Sequence, residues 1–343
     1  MAVGTLYVFD NFNANKTDHG DRVVRAARHE GFKGSIVEHS KSERLDLNQD
    51  LYTPSMPAAD FGKGLRADMA RLQVKSLEMA TGELKSLENQ GVKNSVVNFS
   101  SGMSKASVVD QYYKKMYVGV QDAPVGEYDP QRKQKEAELA QSKALFNNFA
   151  RAAKQDPDKL RADLVNPDEK ISGPAEQRVK QALAGQMEKA SGGQEFKQAK
   201  AQYDQEVVSF EKNHNSVVVA AENSGDISRA GKSVDFYDNI LSSPQTTTVG
   251  AVSSDGKQIE SYSNPSKNVE LYARGQSPRA TDPGTSYSSP RAAAALAKAH
   301  AMNQQMSSEE VEQLVVGQLT TNVPGTTARE LDPTKTAAYF SQK

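Results

Sequence analysis

Short apolar, β-branched runs alternate along the chain with longer stretches whose apolar positions recur at helical spacing. The runs cover residues 5–9, 34–38, 93–99, 216–221, 246–253, 259–264 and 269–275, and each is read as a strand. Several carry no polar alternation, as expected of parallel strands covered on both faces. Between them, Asp18 is placed to cap a helix running to Arg28 with Val23, Val24 and Ala27 on its apolar face. Residues 55–64 read as a loop of Pro, Gly and small residues. Residues 65–89 read as a helix using Leu65, Met69, Leu72, Leu77, Leu84 and Leu87. A small-residue run at 291–297 and a capped segment at 307–314 predict two more helices. The pattern is that of one large α/β domain.

From about 128 to 213 the composition turns to Lys, Glu, Gln and Ala at helical spacing. Turn signals interrupt it at Asp156-Pro157, Asn166-Pro167, Ser172-Gly173-Pro174 and Ser191-Gly192-Gly193. Two or more helices inserted into the core are expected. Leu139, Leu145, Phe146 and Phe149 form one apolar stripe, and Val179, Leu183 and Met187 another. The charged positions between them read as solvated faces, with a binding surface as the alternative.

Composition narrows the function. The 343 residues are 37% hydrophobic, enough for a sizeable core. Lys+Arg 42 against Asp+Glu 43 leaves a net charge of −1, so no bulk field recruits nucleic acid or an anionic membrane. With Cys 0, disulfides, thiolate catalysis and cysteine-ligated zinc are excluded. No basic stretch followed by an apolar core marks a secretory signal, no run approaches a membrane span, and the compartment stays open. No His/Asp/Glu cluster has metal-ligand spacing.

The candidate chemistry centres on residues 284–290, a Gly-led polar turn opening onto the alanine-rich run. A hydroxyl there faces the unpaired N–H groups and partial positive charge of a helix N-terminus, an environment that stabilises an oxyanion. Helix capping alone also explains such a turn, with Ser and Thr as N-caps and Pro in a first turn. Asp10 closes the first strand, at the sheet edge where α/β proteins bind ligands, although an Asp there is also a common turn former. Of five histidines, His29 and His300 fall late in helices and His214 precedes a strand, all at the opposite edge. His19, at a helix start, and His39, closing a strand, reach the edge of Asp10.

The segment Gly284-Thr285-Ser286, followed by Pro290 and small residues, resembles the serine motif of subtilisin-like serine proteases, the subtilase or S8 family. Asp10 and His19-Gly20 resemble the family's Asp strand and His helix. Departures are the missing Gly after Asp10, Asp21 in place of Thr, and an Asp-to-His spacing of only nine positions. Residues 93–102 resemble its substrate-binding strand, and Ala220-Ala221-Glu222-Asn223 resembles its Ala-Ala-Gly-Asn segment. The three runs from 246 to 275 match the family's approach to the serine, and 331–338 resembles its closing segment.

The resemblance implies a three-layer fold, a mostly parallel central sheet with helices on both faces, over residues 1–343, with 128–213 as an unusual helical insertion. It implies a serine endopeptidase using Asp10, His19 and Ser286, with Asn223 in the oxyanion hole. Ser100, Ser101, Gly102, Ala221 and Glu222 would contact substrate. Glu222, where the family has Gly, could offer the pocket a carboxylate and a preference for Lys or Arg. A peptide or protein substrate and a monomer are expected, with no cofactor and no nucleic-acid or membrane partner. Structural calcium is common in the family, yet no segment identifies a site. A propeptide normally precedes the Asp strand, so either it has been removed or folding proceeds without one. Eroded flanks around Asp10 and His19 leave a second reading, a degenerate subtilase that binds peptides or partners without cleaving. A third is a scaffold or effector acting through its helical insertion.

Overall fold

Alternation of side chains across pleated strands divides the apolar residues between two cores. The computed structural model describes residues 4–10, 19–40, 48–100, 103–121, 123, 125–126, 129–225, 234–277 and 282–341. In β1 (Thr5–Asp10), Leu6 and Val8 enter one core and Phe9 the other. In β3 (Ser95–Phe99) and β4 (Ser216–Ala220), Val96 and Val218 join the first, while Val97, Phe99, Val217 and Val219 join the second. A period of two on strands buried on both faces gives this division.

These strands belong to an eight-stranded sheet with order β2-β1-β3-β4-β5-β6-β8-β7, where β2 is Ser35–Ser40, β5 Thr247–Val252, β6 Val269–Arg274, β7 Thr320–Asn322 and β8 Arg329–Leu331. All neighbours are parallel except β7 and β8, an antiparallel pair. The sequence pattern gave no sign of that pair, whose strands are three residues each. From β1 the chain goes to β2 on one side and then to β3 on the other. The carboxyl ends of β1 and β3 therefore form a topological switch point, the usual binding crevice of such sheets.

The first core lies under α1 (His19–His29), α8 (Thr285–Met302), α9 (Ser308–Gln318) and α10 (Pro333–Ser341). Ala292 to Ala295 and Ala297 are fully buried, and these short side chains let α8 lie close against the sheet. The second core lies under α2 (Ala58–Asn89), α3 (Lys105–Gln121), α4 (Arg132–Ala152), α5 (Pro157–Leu164), α6 (Glu169–Ala190) and α7 (Gln194–Glu211). With helices on both faces of the sheet, the fold is three-layered α/β, as expected. Among the described residues, 128–213 thus holds four helices, whose apolar faces join the core of α2, α3 and the sheet rather than forming one of their own. Leu145, Phe146, Phe149, Val179, Leu183 and Met187 are buried there, and Leu139 is half-buried. Gly119 is what lets α3 and α4 approach, since a Cβ there would lie 2.4 Å from the Ser142 carbonyl carbon.

Three expectations about elements are corrected. The helix expected at 65–89 begins at Ala58, after Pro57. Burial of Phe61 together with Leu65 outweighs the cost of Gly62 and Gly64, about 1 kcal/mol each. Ser172-Gly173-Pro174 does not break a helix but lies inside α6. Asp168 caps that helix further upstream by accepting from the Lys170 N–H, and Pro174 forfeits one backbone bond near its start. Residues 259–264 form no strand beyond one antiparallel bridge between Val252 and Ile259. Their polar groups are used to brace the neighbouring turn instead.

Candidate active site

Asp10 is the last residue of β1 and is fully buried, and His19 is the first residue of α1. Ser286 is the second residue of α8 and is 5% exposed. The two helices start at the carboxyl edge where β1 ends, so elements far apart in sequence meet at one point. Imidazole Nδ1 of His19 lies 2.8 and 2.9 Å from the two carboxylate oxygens of Asp10. Nε2 lies 2.9 Å from Ser286 Oγ. A carboxylate accepts only, so the proton belongs on Nδ1, and Nε2 is left to accept the serine hydroxyl. Ser100, just past β3, donates its hydroxyl to Asp10 Oδ2 across the switch point.

Asn223 follows β4 in the turn 221–225. Its Oδ1 accepts from the Thr285 N–H at 2.8 Å and from the Thr285 hydroxyl at 3.0 Å. Because both partners donate, the amide orientation is fixed, and Nδ2 bonds to none of the described residues. The N-cap of α8 is Gly284, so Asn223 caps that helix from the turn after β4, whereas the sequence pattern suggests Ser or Thr as caps. The Tyr287 N–H bonds to the Gly284 carbonyl. Between the two, the Ser286 N–H bonds to none of the described residues, as first-turn donors commonly do. A Cβ at Gly284 would lie 3.1 Å from Ser286 Oγ and 3.2 Å from Asn223 Nδ2, so its absence keeps the gap between hydroxyl and amide open. Pro290 is not in the first turn. It is the sixth residue of α8 and frees the Ser286 carbonyl from its helical partner.

The histidine rivals separate cleanly. His39 pairs with Phe9 in the β1–β2 register, and its ring lies 4.5 Å from the Phe9 ring and 5.8 Å from that of Tyr7. Being level with Phe9, it takes the face opposite to Asp10. His29 ends α1, and His300 is fully buried with Nε2 2.8 Å from Ser216 Oγ, at the other edge. Burial, with the nearby His214 second, pushes the His300 imidazole down to about 4. His214 Nδ1 lies 2.7 Å from the Met306 carbonyl, also away from Asp10.

Ala221 is fully buried beside Asn223. Glu222 is half-buried with φ +78°, a left-handed conformation that suits Gly and strains other residues. Ser101, Gly102, Asp18 and residues 11–15 lie outside the described residues. Asn264 and Asn239 were missed from the sequence. Asn264 Oδ1 accepts from the Ser224 N–H at 2.7 Å, its N–H donates to the Glu222 carbonyl at 3.1 Å, and its Nδ2 donates to the Tyr237 carbonyl at 2.8 Å. Asn239 Nδ2 donates to the Ala220 carbonyl at 2.7 Å. Together they hold the turn that aims Asn223, and a lone Asn in a loop carries no pattern that would have signalled it.

Residues 171–331 match the family model of the subtilase family. Over that stretch the chain is similar to subtilases. The match contains Asn223, Gly284 and Ser286 but stops short of Asp10 and His19, so the meeting of those two with the serine is a fact of geometry, independent of the match. No curated protein matches the chain. Among solved structures it is similar to a lanthipeptide protease, at 12% identity over 98% of this chain and 87% of that one, TM-score 0.41. It is similar to a cold-adapted subtilisin-like serine proteinase at 13% identity over 97% and 89%, TM-score 0.41. It is also similar to proteases from Pseudoalteromonas arctica, at 18% identity over 41% and 47%, TM-score 0.29. Among the described residues no group of three or more His, Cys, Asp or Glu could hold a metal ion, and no helix is long and apolar enough to cross a membrane.

Proposed function

We propose that this chain is a subtilase and a serine endopeptidase whose nucleophile is Ser286, general base His19 and orienting carboxylate Asp10. The observation that carries the reading is the unbroken hydrogen-bonded chain from Asp10 through His19 to Ser286 Oγ, with 2.8 and 2.9 Å links. A substrate carbonyl carbon placed against Ser286 Oγ can direct its oxygen to Asn223 Nδ2 and the Ser286 N–H. As Oγ bonds to that carbon, its proton passes to Nε2, and the charge that develops on oxygen meets two donors already in position. His19 then gives the proton to the departing amine as the C–N bond breaks, leaving an acyl-enzyme. Water repeats the sequence and frees Ser286. Asp10 keeps the tautomer that makes Nε2 a base and stabilises the imidazolium.

The test is hydrolysis of a generic peptide by wild type, Ser286→Ala, His19→Ala and the double variant. Each single variant is expected to abolish hydrolysis with the fold intact, and the double variant to be no worse than either by more than a small factor, because such residues act as a unit. Full activity in His19→Ala with loss in His39→Ala would overturn the assignment of the base.

A further inference from the structure

The residue after Ser286 is a tyrosine, and its surroundings give it a task. Tyr287 is 1% exposed, and its ring centroid lies 5.5 Å from that of His19, tilted by 37°. Its hydroxyl accepts from Arg22 Nε at 3.0 Å. Arg22 stands on α1 three residues beyond His19, so it lies on the same side of that helix. Arg22 also lies 3.9 Å from Asp282, in the approach to α8. The N-terminal turns of α1 and α8, which carry the base and the nucleophile, are therefore cross-linked beside the reactive pair.

The His19 side chain is 30% exposed, and its hydrogen bonds run to Asp10 and Ser286. When Ser286 Oγ is esterified, its hydroxyl proton is gone and the bond to Nε2 with it. At that stage Asp10 alone would hold the ring, just when Nε2 must meet the incoming water. We infer that Tyr287, fixed by Arg22, is a positioning residue that keeps the His19 ring in its productive orientation through the acyl-enzyme stage. This rests on the peptidase reading above and adds to it a device for that one step. In that step water gives a proton to Nε2 while its oxygen bonds to the acyl carbon, and the proton returns to Ser286 Oγ as the ester bond breaks.

The experiment compares wild type with Tyr287→Ala, Tyr287→Phe and Arg22→Met by two readouts. The first is kcat and KM per Ser286 able to react with a fluorophosphonate. The second is the exchange-protected Nδ1 proton of His19 in NMR spectra, identified by its absence in His19→Ala. With an ester substrate, whose turnover is limited by attack of water on the acyl-enzyme, Tyr287→Ala is expected to lose about tenfold or more in kcat with KM falling in step as the acyl-enzyme accumulates, since small misplacements of a reacting group are costly. Its Nδ1 proton should be lost at a temperature where circular dichroism still reports a folded chain. Tyr287→Phe, which keeps the ring, should recover most of the loss, and Arg22→Met should resemble it. Should the alanine variant fail to fold, Tyr287→Leu, which fills more of the space without the ring, decides by the same readouts: loss of kcat and of the Nδ1 proton supports the inference, and wild-type values of both refute it. Wild-type kcat and a wild-type Nδ1 proton in Tyr287→Ala would overturn it. If wild-type Ser286 does not react at all, the peptidase reading fails. The Nδ1 proton then still decides the positioning, supported by its loss in Tyr287→Ala and refuted by its survival.

Discussion

Replacing Asn223 separates its observed bonds to Thr285 from its proposed role as oxyanion donor. Its Oδ1 holds two donors of Thr285 at 2.8 and 3.0 Å, while Nδ2 is left to face the gap beside Ser286 Oγ. Asn223→Ala removes both functions. Loss of the cap should cost about 1–2 kcal/mol of stability, which for a chain of this size lowers Tm by only a few degrees. Loss of the donor should cost far more in rate. In subtilisin, removing the comparable amide lowers kcat by roughly 10²–10³, about 2.7–4 kcal/mol. Because the oxyanion exists only in the transition state, KM should stay nearly constant. Asn223→Asp supplies the control. It keeps an oxygen to cap Thr285, and a negative charge at a helix N-terminus is favourable, so stability should hold near wild type. Its second oxygen cannot donate when ionised, so kcat should fall at least as far as in the alanine variant. Steady-state kinetics with a peptide substrate and thermal unfolding of both variants give the four quantities. Wild-type kcat in Asn223→Asp, or a loss expressed in KM in Asn223→Ala, would refute the reasoning.

Three further outcomes follow from two residues, Glu222 and His300. Glu222→Gly relieves a left-handed backbone at φ +78° and should stabilise the chain by about 1 kcal/mol; an unchanged or lower midpoint in urea would contradict this. If the Glu222 carboxylate also selects substrate, cleavage of a mixed peptide library by wild type should favour Lys or Arg before the scissile bond. That preference should vanish in the glycine variant, and its persistence there would clear Glu222 of the role. The buried His300 imidazole is pushed down to about 4, against about 6.5 unfolded, so the folded chain favours the neutral ring. Its contribution to stability is whole above pH 6.5 and is lost as pH falls towards 4. At about 1.4 kcal/mol for each pH unit between those values, the loss reaches about 3 kcal/mol. Denaturant titrations of wild type and His300→Gln between pH 7 and 4 should differ by that slope, and equal slopes would show that His300 is not its source.

Much of the site was legible because it depends on strand ends and helix starts, which local pattern marks well. β1, β3 and β4 are short β-prone runs, apolar but for Asn98 within β3, closed by Asp10, Ser100 and the Glu222-Asn223 turn. α8 announces itself by Gly284 and the alanines. What could not be read depends on partners distant in sequence. The choice between His19 and His39 turns on which sheet face each occupies, and that needs the β1–β2 register, which pairs Phe9 with His39. The bracing by Asn264 and Asn239 needs the turn 221–225 to lie beside both. The early start of α2 comes from burial of Phe61, which outweighs the loop-like Pro and Gly content around it. Pro174 could be kept within α6 because Asp168 starts that helix upstream.

The most direct measurement is reaction of the intact chain with a serine-directed fluorophosphonate, followed by mass mapping of the adduct. A nucleophile 2.9 Å from a base whose other nitrogen is held by a buried carboxylate should be labelled at Ser286 alone. Labelling should be absent in Ser286→Ala and slowed by roughly 10³ or more in His19→Ala. No adduct, or an adduct elsewhere with Ser286 untouched, would contradict the reading of this site as a working peptidase.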